Sequence, residues 1–297
     1  MRIDELPESN QIEDRRGARG LPGGRGGLGI GAVVVLGLIG WAVGIDPRLL
    51  IGGAELLSGG GTQQQADVGS QIKTGAPSDE MGHFVSAVLG STEVEWTEIF
   101  EKSGKLYKRP TLVMFSGATQ SGCGTAQSAM GPFYCPVDQK VYLDTSFFQD
   151  LERRFRGCDV GSKTCQFSQA YVIAHEIGHH VQNLLGLLPK VQEAQRGMGK
   201  AEGNSLQVRV ELQADCLAGV WANRAQAKWQ FIEPGDVEAA MQTASAIGDD
   251  RLQRQSQGYV VPDSFTHGSS AQRTRWFMTG LKSGEVASCD TFRAEQL

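Results

Sequence analysis

Histidine is scarce in this chain, with five in 297 residues, and tyrosine and tryptophan are equally rare at five each. Basic residues form no stripe: 28 lysines and arginines stand against 33 aspartates and glutamates, for a net charge of −5. A mildly acidic chain of this kind lacks the electrostatic footprint of a nucleic-acid binder, and no nucleic acid is expected as a partner. Nor does it set a strong expectation about substrate charge. No cysteine occurs before Cys123, and no Cys-x-x-Cys pair occurs anywhere, which argues against a cysteine metal cluster. A single long uncharged apolar run is found, Leu28 to Ile45.

Scarcity makes the histidines informative. Tyr171-Val172-Ile173-Ala174-His175-Glu176-Ile177-Gly178-His179-His180 contains His-Glu-x-x-His. With so few histidines, an accidental match is expected on the order of once in two hundred such chains. On a helix, His175 and His179 at i and i+4 share one face, so both imidazoles can reach one ion. Glu176 then sits beside that ion, where it can take a proton from an activated water. Val172, Ile173, Ala174, Ile177 and Val181 suit a mostly buried helix.

A catalytic zinc needs a third protein ligand and an open position. Val210-Glu211-Leu212-Gln213-Ala214-Asp215-Cys216 continues through Trp221 and predicts a second buried helix, with Glu211 and Asp215 again at i and i+4. Glu211 would complete a His₂Glu set. Asp215, one turn on, would accept the far N–H of a ligand histidine and fix its tautomer. The competing reading is two acids on a solvated face, against which the apolar neighbours speak. Gly178 fits the pairing, because a mid-helix glycine costs about 1 kcal/mol against alanine and needs a compensation such as close approach of the second helix near Ala214.

These residues resemble the gluzincin metallopeptidases, which hold zinc with His-Glu-x-x-His and a glutamate from a Glu-x-x-x-Asp helix. Further stretches look like the bacterial putative neutral zinc metallopeptidase family: Gly131-Pro132-Phe133-Tyr134-Cys135-Pro136, Lys140-Val141-Tyr142-Leu143-Asp144, Ala170 to Gly186, Glu211 to Trp221, Thr266-His267-Gly268-Ser269 and Cys289-Asp290-Thr291-Phe292. The likeness spans about residues 80 to 297 and the N-terminus, and it implies a zinc-dependent endopeptidase acting on peptide or protein substrates. His267, six residues ahead of Arg273, is similar to the His…Arg pattern of membrane-associated gluzincins. That likeness implies a hydrogen bond to the oxyanion of the tetrahedral intermediate; the alternative is a histidine that caps or packs at a helix start. His180, about 100° round the helix from His179, should point away from the metal. His83 reads as structural.

The first eighty residues do not look globular. Residues 1–27 are expected to be a polar cytoplasmic tail, 28–45 a transmembrane anchor, 46–79 a flexible linker and 80–297 the metallopeptidase domain. Leu28 to Ile45 is eighteen residues long without a charge, at the short end for a span, with Trp41 near its end. Arg15, Arg16, Arg19 and Arg25 before it, with no matching excess after it, place the N-terminus in the cytoplasm. The domain would then lie outside the inner membrane of a bacterium. A cleaved signal peptide is the competing reading, although Asp46-Pro47-Arg48 makes no clear cleavage site.

The six cysteines all follow the apolar run, and an even number beyond such a segment suits an oxidising compartment. Locality pairs Cys123 with Cys135, Cys158 with Cys165 and Cys216 with Cys289, although six cysteines permit fifteen connectivities. Cys216 as a nucleophile would lack a second histidine nearby. The expected fold is α+β and helix-dominated, zincin-like, with a sheet of three or four strands. Helices are predicted at 77–89, 92–102, 145–156, 167–186, 205–229, 236–254 and 268–281, with strands at 111–116 and 140–143. The edge that binds an extended peptide is assigned to Thr111–Gly117 or to the strand ending at Leu143. A membrane-tethered binding or chaperone-like protein, and hydrolysis of a non-protein amide, are the rival functions. The oligomeric state is not legible.

Overall fold

The computed structural model describes residues 1–17, 73–148 and 165–297. A five-stranded sheet runs in the order β2-β1-β3-β7-β6. Its strands are β1 (Ile12–Asp14), β2 (Lys73–Thr74), β3 (Thr111–Phe115), β6 (Phe133–Cys135) and β7 (Lys140–Asp144), while β4 (Ala118–Ser121) and β5 (Gly124–Gln127) make a separate hairpin. β1, β3 and β7 are parallel, and β6 is antiparallel to β7. The helices are α1 (Glu80–Lys102), α2 (Cys165–Leu184), α3 (Leu187–Gln195), α4 (Lys200–Trp229), α5 (Asp236–Ala246), α6 (Asp249–Gln257) and α7 (Ser270–Ser283). The α+β, helix-dominated class is as expected, with a larger sheet.

Both faces of the central strands are covered, which is why they read as unbroken apolar runs. Leu112, Met114, Val141 and Leu143 face the helices and join the main core. Val113, Phe115 and Tyr142 face the other way, onto Cys135 and onto Ala126 of the hairpin. The Cys123–Cys135 disulfide ties that hairpin to β6. Cys216–Cys289 joins α4 to the C-terminal tail, and Cys165 is also oxidised, while Cys158 lies outside the described residues.

Helix α4 is the backbone of the domain. It crosses α7 at two glycines: a Cβ on Gly280 would stand 1.9 Å from the Cys216 carbonyl oxygen, and one on Gly219 would stand 2.2 Å from that of Phe277. Backbones therefore touch, and no side chain fits between them. Gly178 of α2 meets α4 as its spacing suggests, since a Cβ there would lie 3.0 Å from the Ala214 oxygen.

Several expectations need correction. The two helices predicted at 77–89 and 92–102 are one helix, because Ser91 and Thr92 hydroxyls bond back to Val88 and Leu89 carbonyls and do not break it. The helix predicted at 236–254 is split at Gly248, where a Cβ would meet the Ser270 backbone nitrogen at 2.5 Å. Both strands assigned as the peptide-binding edge are interior: β3 lies between β1 and β7, and β7 between β3 and β6. The edge on that side is β6.

The boundary at residue 80 also moves. Residues 1–17 are not a separate tail: β1 pairs with β3 through Ile12↔Leu112, Glu13↔Val113 and Asp14↔Met114, and Met1, Leu6 and Ile12 are buried in the main core. Polar patterning concealed this segment, because it contributes one buried residue at a time. Residues 73–79 likewise belong to the domain, through β2 and the Asp79 cap of α1. The expected anchor at 28–45 and the linker up to residue 72 lie outside the described residues. Among the described residues, no helix is long and apolar enough to cross a membrane.

Candidate metal centre and active site

Helices α2 and α4 pack so that His175, His179 and Glu211 face one point. His175 Nε2 and His179 Nε2 are 3.1 Å apart, and Glu211 Oε2 is 3.2 Å from the first and 3.4 Å from the second. Tetrahedral zinc with bonds of about 2.05 Å needs donor atoms about 3.3 Å apart. The three separations therefore match such a set without rearrangement.

The chemistry of the donors agrees with their spacing. His175 Nδ1–H donates to Asp215 Oδ1 at 2.8 Å, and His179 Nδ1–H donates to Gln182 Oε1 at 2.9 Å. Each proton is therefore on the far nitrogen, and each Nε2 offers a lone pair. The Gln182 amide is itself fixed, donating to the Val210 carbonyl at 2.8 Å and to Gln213 Oε1 at 3.0 Å. Gln207 donates to Glu211 Oε1 at 3.0 Å, which leaves Oε2 for the ion. Three lone-pair atoms converge with nothing between them but one another, an arrangement that a divalent cation neutralises.

Behind His175 lies a closed polar network. Asp215 is fully buried and takes a bidentate pair from Arg273, Nε to Oδ2 and Nη2 to Oδ1, both at 2.9 Å. Tyr171 donates its hydroxyl to the same Oδ1 at 2.5 Å and accepts from Arg273 Nη2 at 3.2 Å. Burial by itself would push the Asp215 carboxyl up, but the guanidinium and the His175 imidazole together bring it down to about 2. Arg273 reaches Asp215 because α7 crosses α4 at the paired glycines.

Above this point opens a cleft of about 820 Å³, lined by His175, Glu176, His179, Glu211 and His267. Burial pushes the Glu176 carboxyl above its usual range, against the pull of His175 and His179. His267 stands on the turn before α7 with its ring 52% exposed, close enough to Glu211 for the two charges to interact. Its turn is fastened by Asp249 at the start of α6. The Asp249 carboxylate accepts the backbone N–H groups of Thr266, His267 and Gly268 at 2.7, 2.6 and 3.0 Å, and lies 3.3 Å from His267 Nδ1. His267 thus caps no helix; Ser269 caps α7 through a capping box with Gln272. The cleft is also lined by residues of the β6 edge between Met130 and Val137 and by Leu188, Val191, Gln192 and Gln195 of α3.

His180 points away from the metal point, as its helical phase requires. It is fully buried, donates from Nε2 to the Lys108 carbonyl at 2.6 Å, and accepts the Tyr134 hydroxyl at Nδ1, 3.0 Å away. Asn183 donates to that same hydroxyl at 2.9 Å. His83 contacts Asp4 and Glu8 of the N-terminal segment and takes no part in the cleft. Asp249 and Tyr134 escape a sequence reading because their partners are non-local, whereas Gln182 and Gln207 stand three residues after His179 and four before Glu211, helical spacings that could have found them.

A family model described as putative neutral zinc metallopeptidase matches residues 1–292. The chain is 47% identical over 302 residues to the uncharacterized protein YpfJ of Escherichia coli strain K12, covering 98% of this chain and 99% of that one. It is 44% identical over 238 residues to the uncharacterized protein Rv2575 of Mycobacterium tuberculosis strain H37Rv, covering 77% and 76%. No solved structure matches the chain. Since the family model takes in nearly the whole length, from β1 through the zinc-type histidines to the C-terminal disulfide, the chain belongs to the putative neutral zinc metallopeptidase family.

Proposed function

We propose that this protein is a zinc endopeptidase in which His175, His179 and Glu211 hold the ion, Glu176 is the general base and His267 stabilises the oxyanion. The observation that carries this reading is the convergence of three lone-pair donors at zinc-like separations beside a buried, unshared carboxyl in an open cleft. When bound, zinc acidifies a water molecule and polarises the scissile carbonyl. Glu176 accepts the proton of the attacking water and returns it to the leaving amine; a carboxyl raised by burial is better matched to both transfers near neutral pH. His267, held by Asp249, presents its Nε2 to the oxygen that becomes negative. Asp215 and Gln182 keep the two ligand imidazoles in the tautomer that binds a cation.

The substrate is best read as an extended peptide laid along β6, the sheet edge beside the cleft, through main-chain hydrogen bonds. Met130 and Val137 on that rim are 42% and 74% exposed, an apolar lip for neighbouring side chains. Tyr134 is the β6 side chain that turns inward, and its hydroxyl fastens the edge to His180 and Asn183 of the zinc helix. Tyr134→Phe removes a partner from the buried His180 ring and from the half-buried Asn183 amide and should cost about 1–3 kcal/mol of stability. It should also raise KM for long peptides while zinc stoichiometry stays unchanged. Unfolding curves and peptide-length kinetics check this, and an unaltered KM would remove the clamp from substrate binding. The uncharged run Leu28 to Ile45 supplies, on this reading, attachment to a membrane of the bacterial envelope.

The test of the function is Glu211→Ala beside the wild type, with zinc content and peptide cleavage measured on the full chain. Zinc should be lost from the variant along with hydrolysis, and a chelator should silence the wild type until zinc is restored. Undiminished zinc in Glu211→Ala would end the three-ligand assignment.

A further inference from the structure

Strands β1 and β2 lie side by side with Glu13 opposite Thr74 and Asp14 opposite Lys73. The chain between them, which contains the uncharged run Leu28 to Ile45, therefore leaves and returns at one edge of one sheet. Antiparallel partners stand about 5 Å apart, whereas the hydrocarbon core of a bilayer is about 30 Å thick. A run that crossed that core once would put β1 and β2 on opposite faces. The two arrangements cannot coexist.

The N-terminal segment is held by too many independent contacts to be an incidental guest. β1 is an inner strand, bonded on both sides, with Ile12 buried beneath it. Ser9 donates to Glu93 Oε1 at 2.7 Å and exchanges bonds with Ser86, both on α1. A Cβ on Gly90 of α1 would come within 2.2 Å of the Pro7 carbonyl oxygen, so a mid-helix glycine, otherwise a weak choice, is what lets Pro7 approach. The charges point the same way. Arg15 pairs with Glu13 at 2.6 Å, and Arg16 pairs with Asp14 at 2.7 Å and Asp79 at 2.6 Å. Two of the four arginines that weigh toward a cytoplasmic N-terminus are thus built into the folded domain.

We propose that both flanks of the apolar run, and with them the N-terminal segment and the catalytic domain, lie on the same side of the membrane, so that residues 28–45 do not carry the chain across. The disulfides Cys123–Cys135 and Cys216–Cys289 make the oxidising, outer side the shared one. The shared side rests on the strand pairing and its supporting contacts, the choice of side on the disulfides, and both are independent of whether the cleft hydrolyses peptides.

Accessibility of single introduced thiols tests it. Glu5 and Glu295 are exposed at the two ends of the chain, and no free cysteine occurs among the described residues. Glu5→Cys and Glu295→Cys, each in the full chain in bacterial spheroplasts, are treated with a membrane-impermeant maleimide before and after detergent lysis, beside the parent chain. Both should label before lysis. Labelling of both only after lysis would keep the shared side and place it in the cytoplasm. Labelling of Glu295→Cys before lysis, with Glu5→Cys protected until lysis, would overturn the proposal.

Discussion

Glu176→Gln should keep its zinc and lose peptide hydrolysis by about a thousandfold or more. The substitution preserves size and removes only the ability to accept a proton. Glu176 lies beside the three donor atoms without being one of them, since the converging oxygen belongs to Glu211. The ion should therefore remain. General-base catalysis contributes about 10²–10⁴ in rate, and here the same carboxyl is asked to deliver the proton to the leaving amine as well. Metal analysis together with cleavage of a fluorogenic peptide by both proteins decides the matter. Activity within tenfold of the wild type would falsify the base assignment. A zinc-loaded wild type that cleaves nothing, on the other hand, would favour the tethered binding protein over the enzyme.

How much of this was legible beforehand depends on whether a feature is local. His175, Glu176 and His179 announce themselves because a helix converts a four-residue spacing into a shared face. Glu211 and Asp215 obey the same rule on α4, and the contact between Gly178 and Ala214 follows from what a mid-helix glycine costs. The pairings Cys123–Cys135 and Cys216–Cys289 were also in reach. What the sequence hid is what only the tertiary fold brings together. Asp249, the first residue of α6, meets His267 on the turn before α7, and nothing in Gly248-Asp249-Asp250 names its target. The cleft-side edge is a three-residue strand that reads as loop, because Pro132 and Pro136 flank it. The N-terminal strand reads as a tail because its apolar residues are spread among charges, and two of those charges take distant partners as well as local ones, Arg16 with Asp79 and Glu13 with Lys140, 63 and 127 residues away.

The second large effect is expected at Asp215. Its carboxylate accepts from His175, Tyr171 and both prongs of Arg273, and it has no exposure to solvent. Asp215→Ala removes one side of a buried ion pair and leaves the guanidinium uncompensated, a change that typically costs about 3–5 kcal/mol. It also frees the His175 ring, and loss of such a supporting carboxylate weakens metal binding by about 10–100-fold. These two losses have different owners and can be separated. Adding Arg273→Met to Asp215→Ala takes away the stranded charge at similar volume, so much of the stability should return. Zinc affinity should not, because nothing then holds the His175 Nδ1 proton in place. Denaturant unfolding of the metal-free proteins reads the first quantity, and competition against a coloured chelator reads the second. Recovery of both in the double variant would mean that Asp215 acts on zinc only by keeping the fold intact. Recovery of stability alone would make it the group that sets the ligand tautomer, with Arg273 there to keep a buried carboxylate charged.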